Sequence, residues 1–199
     1  MPFENPIRTA HNVKNVHPDA VQTEWVFRGT ESLDKRELKK LLRKEDAAAF
    51  VGELRPGFHV WGLTRGQFSL IDTIRAVTDQ TGPVAFTLAT WTVAKADLSE
   101  LIKLLTPERF TRIRLLLDCT FQRRQPSLFQ HIKERFGADA IRVTHTHAKF
   151  MLFESDRWKI ICRTSMNLNF NPRIEDIELK DDPALFDFLN GWMDSFWKA

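Results

Sequence analysis

From Pro56 to Thr146 the chain repeats one pattern: a short apolar run, a break, then an amphipathic stretch of helix length. FHVWGL (58–63), VAFTLATWTV (84–93), RIRLLLDC (112–119) and AIRVTHT (140–146) read as strands. Helix signals run between them, from Ser69 to Thr78, Asp97 to Leu105 and Ser127 to Phe136, while TFQRRQ (120–125) reads as a basic loop. Strands alternating with helices of about ten residues predict a layered α/β sheet. In such folds ligands bind at the carboxyl ends of the strands.

The rhythm changes at His147. HAKFMLFE and IICRTSMN read as two strands joined by the turn SDRWK, a β-hairpin instead of another crossover. The loop LNFNPR leads to IEDIEL (174–179), a further strand, and Pro183 opens a last helix. That helix is apolar around more than half its circumference, which predicts packing on two sides. Upstream, residues 1–28 are polar and aperiodic and read as an N-terminal arm, with 29–199 forming one domain. Within it, residues 31–54 carry a helix signal: Asp34 as cap, Leu33, Leu38, Leu41 and Leu42 on one face, and Lys35, Arg36, Lys39, Lys40, Arg43 and Lys44 on the other. The expected class is therefore α/β, a mixed sheet with helices on both faces.

A chain of 199 residues is long enough to bury a core without staples. Two cysteines build neither a disulfide framework nor a cysteine-based zinc site, and they suit a reducing, cytoplasmic setting. No apolar run approaches the roughly 20 residues that span a bilayer, and the N-terminal residues have no signal-peptide core. A net charge of +3 is too small to argue for nucleic acid by itself. The cations are mostly arginine, whose planar fork suits phosphate.

The residues able to carry chemistry cluster after the change of rhythm. Period-two alternation places His147, Lys149, Met151 and Phe153 on one strand face, and Ile161, Arg163, Ser165 and Asn167 on one face of the next. Pairing around the turn brings an imidazole, an ammonium and two small polar groups to one strand end. Glu175 shares its face with Ile177 and Leu179, so its carboxylate needs a partner, and a histidine ring nitrogen suits it.

The string His147-Ala148-Lys149, then Glu154, Thr164-Ser165-Met166-Asn167, Asn171 and Glu175 resembles the motif of the phospholipase D superfamily. The likeness is to members with one motif copy and covers about residues 55–180. Three departures stand out: Glu154 where the motif has aspartate, Thr164 where it has glycine, and three extra hairpin residues. The resemblance implies an α-β-α sandwich and metal-independent phosphodiester cleavage through a phosphohistidine. His147 would attack phosphorus, Glu175 would orient its ring, and Lys149, Ser165 and Asn167 would hold the phosphoryl oxygens. Glu154 and Asn171 would support the site. The attacking imidazole must be neutral, so activity would fall as pH drops through its titration.

A single motif supplies one histidine, whereas the leaving group needs a second, so the resemblance implies a homodimer with Trp91 and the last helix as candidate contacts. Arg65, Arg123, Arg124, Arg163 and Arg173, in loops or at strand ends, would bind substrate. The expected partner is nucleic acid, DNA before RNA, with no membrane and no cofactor. His145 makes a His-x-His pair with His147, but no third ligand stands nearby in sequence, so no metal is expected. The alternative is a catalytically silent subunit that binds nucleic acid or serves assembly; a phospholipid substrate ranks below both.

Overall fold

Each apolar run after Pro56 becomes a strand because its alternate residues find an apolar layer on one or both faces of a single sheet. A computed structural model of the chain describes residues 14–15, 36–40, 47–169 and 173–198. Among them lie β1 (Lys14–Asn15), β2 (Arg36–Lys40), α1 (Ala47–Val51), β3 (His59–Thr64), α2 (Leu70–Thr81), β4 (Val84–Thr90), α3 (Lys95–Lys103) and β5 (Phe110–Asp118). There follow α4 (Cys119–Arg124), α5 (Pro126–Phe136), β6 (Ile141–Thr144), β7 (Phe150–Glu154), β8 (Lys159–Thr164), β9 (Glu175–Asp181) and α6 (Pro183–Lys198). The strand order is β1-β6-β5-β4-β7-β8-β9-β3-β2. Neighbours on the β1-β6-β5-β4 side run parallel, as do β3 and β2, while β7, β8 and β9 are antiparallel to the strands beside them. The sheet is thus mixed, as expected.

Alternation divides the core in two. Leu115 and Leu117 of β5, Met151 and Phe153 of β7, and Ile160 and Cys162 of β8 point to the larger core with α2, α3 and α5. Leu116, Phe150, Leu152 and Ile161 point the other way, onto Phe186, Met193 and Phe196 of α6. In the larger core Phe86 meets Phe110 and Phe153 at ring-centroid distances of 5.5 and 5.0 Å. Ser69 caps α2 in a reciprocal box with Asp72, and Gly82, at φ +70, ends it with an N–H bond back to Thr78.

Two arginines fasten α6. Arg114 of β5 bonds Asp194 at 2.5 Å, Asn190 at 2.6 Å and Thr87 at 3.2 Å. Arg142 of β6 donates to the Phe196 carbonyl at 3.1 Å, and both guanidiniums lie 5.1 Å from the Trp197 ring. At the flanks of α6, Leu185, Leu189, Trp192 and Trp197 are half-buried.

Four expectations are corrected. The helix signal over 31–54 yields a strand at Arg36–Lys40 and a short helix at Ala47–Val51. β2 pairs in register with all of β3 from His59 to Leu63, and that ladder outweighs a weak local preference. The basic loop 120–125 is largely the helix α4, nucleated by Asp118, which accepts from the Thr120 N–H, and anchored by buried Phe121. β7 begins at Phe150, so His147 to Lys149 precede the strand instead of alternating along it. β8 ends at Thr164, which leaves Ser165 and Asn167 beyond its end. Lys14 and Asn15, within the segment read as an arm, pair with Arg142 and Val143 at the sheet edge. The division at residue 28 and Asn171 lie outside the described residues.

Candidate active site

One edge of the sheet gathers the polar residues. β3, β4, β5, β6 and β8 all end there, and β7 and β9 begin there, because Phe150 pairs with Ala89 and Arg163, and Glu175 with Thr64. A cleft of about 660 Å³ at this edge is lined by His147, Lys149, Ser165, Asn167 and Glu175, with Trp91, Arg163 and Arg173. The five residues expected to be catalytic therefore share one cleft. They come from three segments: 147–149 before β7, 165–167 after β8, and the first residue of β9.

Local bonds fix the second of these segments. Thr164 Oγ1 donates to the Asp176 carbonyl at 2.6 Å and accepts from the Met166 N–H at 3.0 Å. Leu168 N–H then donates to Thr90 Oγ1 at 3.3 Å, and the Leu168 carbonyl accepts from Ala94 N–H at 2.8 Å. Asn167 is held between these anchors. Its Oδ1 is buried without a hydrogen-bond partner among the described residues, and the residue lines the cleft. Ser165 Oγ donates to Glu175 Oε2 and accepts from the Asp176 N–H at 3.0 Å.

No residue other than glycine has positive φ among those described, so Thr164 sits in ordinary backbone and contributes two bonds a glycine would lack. Thr164→Gly should lower stability by about 1–2 kcal/mol through these bonds and added chain freedom, and should not increase any activity. Thermal unfolding of the variant checks this; an unchanged midpoint would contradict it.

Lys149 Nζ lies 3.1 Å from His147 Nδ1 and 3.4 Å from Nε2, and donates to the His147 carbonyl at 2.9 Å. An ammonium donating to Nδ1 leaves the ring proton on Nε2. Partial burial lowers the pKa of Lys149, an effect the Glu175 charge opposes. The Trp91 ring lies 5.4 Å from the His147 ring on one side of the cleft, and Arg124 stacks on that tryptophan at 4.4 Å.

The remaining expected residues are spread along the same edge. Arg163 reaches Glu178 at 3.5 Å, and Glu178 also holds His59 at 2.6 Å. Arg65 follows β3, whose last residue, Thr64, pairs with Glu175, and Arg123 and Arg124 lie in α4. All five arginines are exposed, and Arg163 and Arg173 line the cleft. Glu154 is at the far end of β7, paired with Ala85 and Lys159, and takes no part in the cleft. Sequence reasoning took Trp91 only as a dimer contact and did not assign Asp118 or Cys119 to the site region; each ends a strand or follows one at the carboxyl edge, the signal that would have found them.

No protein-family model matches the chain, and no curated protein matches it. Among solved structures it is similar to NucT from Helicobacter pylori, with 10% identity, a TM-score of 0.51, and coverage of 70% of this chain and 96% of that one. Nuc from Salmonella typhimurium, a phospholipase D family member, matches at 13% identity and TM-score 0.46 over 70% and 93% of the two chains. A polyphosphate kinase from Porphyromonas gingivalis matches at 10% identity and TM-score 0.48, over 69% of this chain and 26% of its own. The mixed sheet with helices on both faces and the NucT match show the fold alone: the chain has the α/β fold of NucT.

Proposed function

We propose that this protein is a metal-independent phosphodiesterase, a nuclease acting on nucleic acid, DNA before RNA as the expected substrate, through a phosphohistidine on His147, with two copies of the chain completing one site. One observation carries the reading: His147, Lys149, Ser165, Asn167 and Glu175 line a single cleft at the carboxyl edge of the sheet. Phosphodiester cleavage without a metal needs a nucleophile, a proton donor for the leaving oxygen and fixed donors on the phosphoryl oxygens.

A bound phosphate draws Lys149 from the ring to a nonbridging oxygen. The ring proton then moves to Nδ1 and Nε2 is free to attack. The Nε2–P bond forms as the bond to the leaving oxygen breaks, and that oxygen takes a proton from the imidazolium of the second copy's His147. Water next attacks phosphorus, the same imidazole accepts its proton, and the Nε2–P bond breaks. Asn167 Nδ2 holds one remaining oxygen, and Ser165 Oγ turns its one O–H from Glu175 Oε2 to another, while Glu175 offsets the positive charge gathered in the cleft. The exposed arginines along the edge suit a polyanion and make its binding salt-sensitive. Among the described residues no helix is long and apolar enough to cross a membrane. Both cysteines are free thiols, which suits a cytoplasmic setting.

The test is cleavage of labelled single- and double-stranded DNA and RNA in EDTA. Cleavage of DNA that survives chelation supports the reading. Loss of activity on chelation overturns the metal-independent chemistry, and inertness of a folded dimer moves the assignment to a nucleic-acid-binding subunit.

The pH profile offers a second check. Cleavage needs one His147 neutral to attack and the second copy's His147 protonated to serve the leaving oxygen, so the profile is bell-shaped. It also needs charged Lys149; burial lowers its pKa from the ordinary 10.5, but an imidazolium loses its proton at lower pH than an ammonium, so Lys149 sets neither limb. Lys149→Arg keeps the charge and should leave both limbs in place while kcat falls, because a guanidinium cannot reproduce the ammonium's contacts with the His147 ring and carbonyl. Full activity in this variant, or a limb that moves, would remove Lys149 from this role.

A further inference from the structure

We propose that Asp118, Cys119 and His145 form a binding site for one soft divalent cation of the zinc class, beside the cleavage cleft and separate from its chemistry. Asp118 ends β5, Cys119 opens α4, and His145 follows β6. The pairing of Asp118 with Thr144 across β5 and β6 brings these residues together, although Cys119 and His145 are 26 positions apart in sequence. One ligand atom from each of the three lies within 4.8 Å of the other two.

The sulfur–nitrogen distance fits a tetrahedral ion. Zn–S near 2.3 Å and Zn–N near 2.0–2.1 Å set a sulfur–nitrogen edge of roughly 3.5 Å. Cys119 Sγ lies 3.2 Å from His145 Nδ1, so the pair opens by only a few tenths of an ångström to admit the ion. The carboxylate is already aimed. Asp118 Oδ1 accepts from the N–H and hydroxyl of Thr120, and Oδ2 accepts from the Thr146 N–H at 3.1 Å. Oδ2 retains a second lone pair for a metal, with the backbone bond as its orienting partner.

Thiolate, imidazole and carboxylate together select zinc over magnesium or calcium, and water fills the fourth position. Binding displaces the thiol proton to solvent. The two anionic ligands balance the dication, so Arg124, whose charge acts on Asp118, faces a neutral complex. Cys119 is half-buried and His145 exposed, so an ion enters from solvent. Because His145 and Thr146 lead directly into His147, an occupied site ties the start of that segment to β5.

The test is titration of the reduced, chelator-stripped full chain with cobalt and then zinc, without nucleic acid. We expect one equivalent of cobalt with thiolate-to-cobalt charge-transfer absorption, displaced by zinc. Cys119→Ser and His145→Ala should lose the absorption, while His147→Ala keeps it. A hundredfold excess of zinc over Kd should raise the wild-type Tm by on the order of 5 °C or more and leave Cys119→Ser unmoved. Absence of the absorption or of the Tm rise in the wild type overturns the site, as does absorption that survives in Cys119→Ser or His145→Ala. No substrate enters this measurement, so its failure leaves the nuclease proposal standing, and failure of that proposal leaves the metal site standing.

Discussion

His147→Ala should remove chelator-resistant phosphodiester cleavage, by on the order of 10⁴-fold or more, because it deletes the nucleophile and the leaving-group acid together. Both roles fall on the same residue in a two-fold site, and no neighbour duplicates either. His145 is turned to Cys119, and Lys149 in the cleft is an ammonium without a lone pair to attack phosphorus. His147 is exposed, so its removal should leave thermal unfolding nearly unchanged and the loss will report chemistry. Mixing gives a sharper reading. If each site takes one histidine from each copy, an equal amount of exchanging His147→Ala chain puts about half of the wild-type chains into mixed dimers. The wild-type activity then falls by about half. Substantial cleavage by His147→Ala alone would contradict the mechanism, and undiminished activity in the exchanged mixture would contradict the shared site.

The second large effect concerns the fold. Arg114→Ala should destabilise the protein by about 3 kcal/mol, lowering Tm by about 6–12 °C. The Arg114 side chain is only 5% exposed, against 36% for its partner Asp194. Burial lowers the pKa of this guanidinium, and the Asp194 bond and charge work against that lowering. Removing the side chain strips Asp194, Asn190 and Thr87 of one shared donor and leaves a void beneath Trp197. Arg114→Met fills the void without the charge and should cost less, since an apolar replacement spares the desolvation of a buried ion. Thermal unfolding followed by circular dichroism decides it. A fall of less than about 2 °C for the alanine variant would show that α6 is held without help from Arg114.

Leu189 of α6 also lines the cleft, so the fastening of this helix bears on the site. A loosened α6 should therefore reduce cleavage along with stability, whereas a mutation in the opposite core should not single out activity.

The elements legible from sequence were those whose burial pattern is local. β3, β4, β5 and β9, and helices α2, α3, α5 and α6, follow apolar alternation or helical spacing that any packing partner must satisfy. The set that lines the cleft was legible for a related reason. His147, Lys149, Ser165, Asn167 and Glu175 fall in three short segments joined by a hairpin, and a hairpin brings its flanking residues together by turn geometry alone.

What sequence could not supply was set by partners distant along the chain. Arg36–Lys40 has helical spacing, but a parallel neighbour offered it a complete ladder, and backbone pairing is nearly obligatory once a strand edge is available. α4 lacked an apolar stripe and was nucleated by Asp118, a cap that works only because β5 ends where it does. His147 and Lys149 read as strand, yet the ladder with β4 and β8 begins at Phe150 and frees both side chains for the cleft. The meeting of Cys119 with His145 is the clearest case. Nothing in the local sequence of either residue refers to the other, and only the parallel register of β5 with β6 makes them neighbours. Local pattern thus determined which segments could be strands or helices and which hairpin gathers the polar residues of the cleft. Tertiary structure decided which strand ends share an edge, because register between distant strands is a property of the assembled sheet and not of any segment within it.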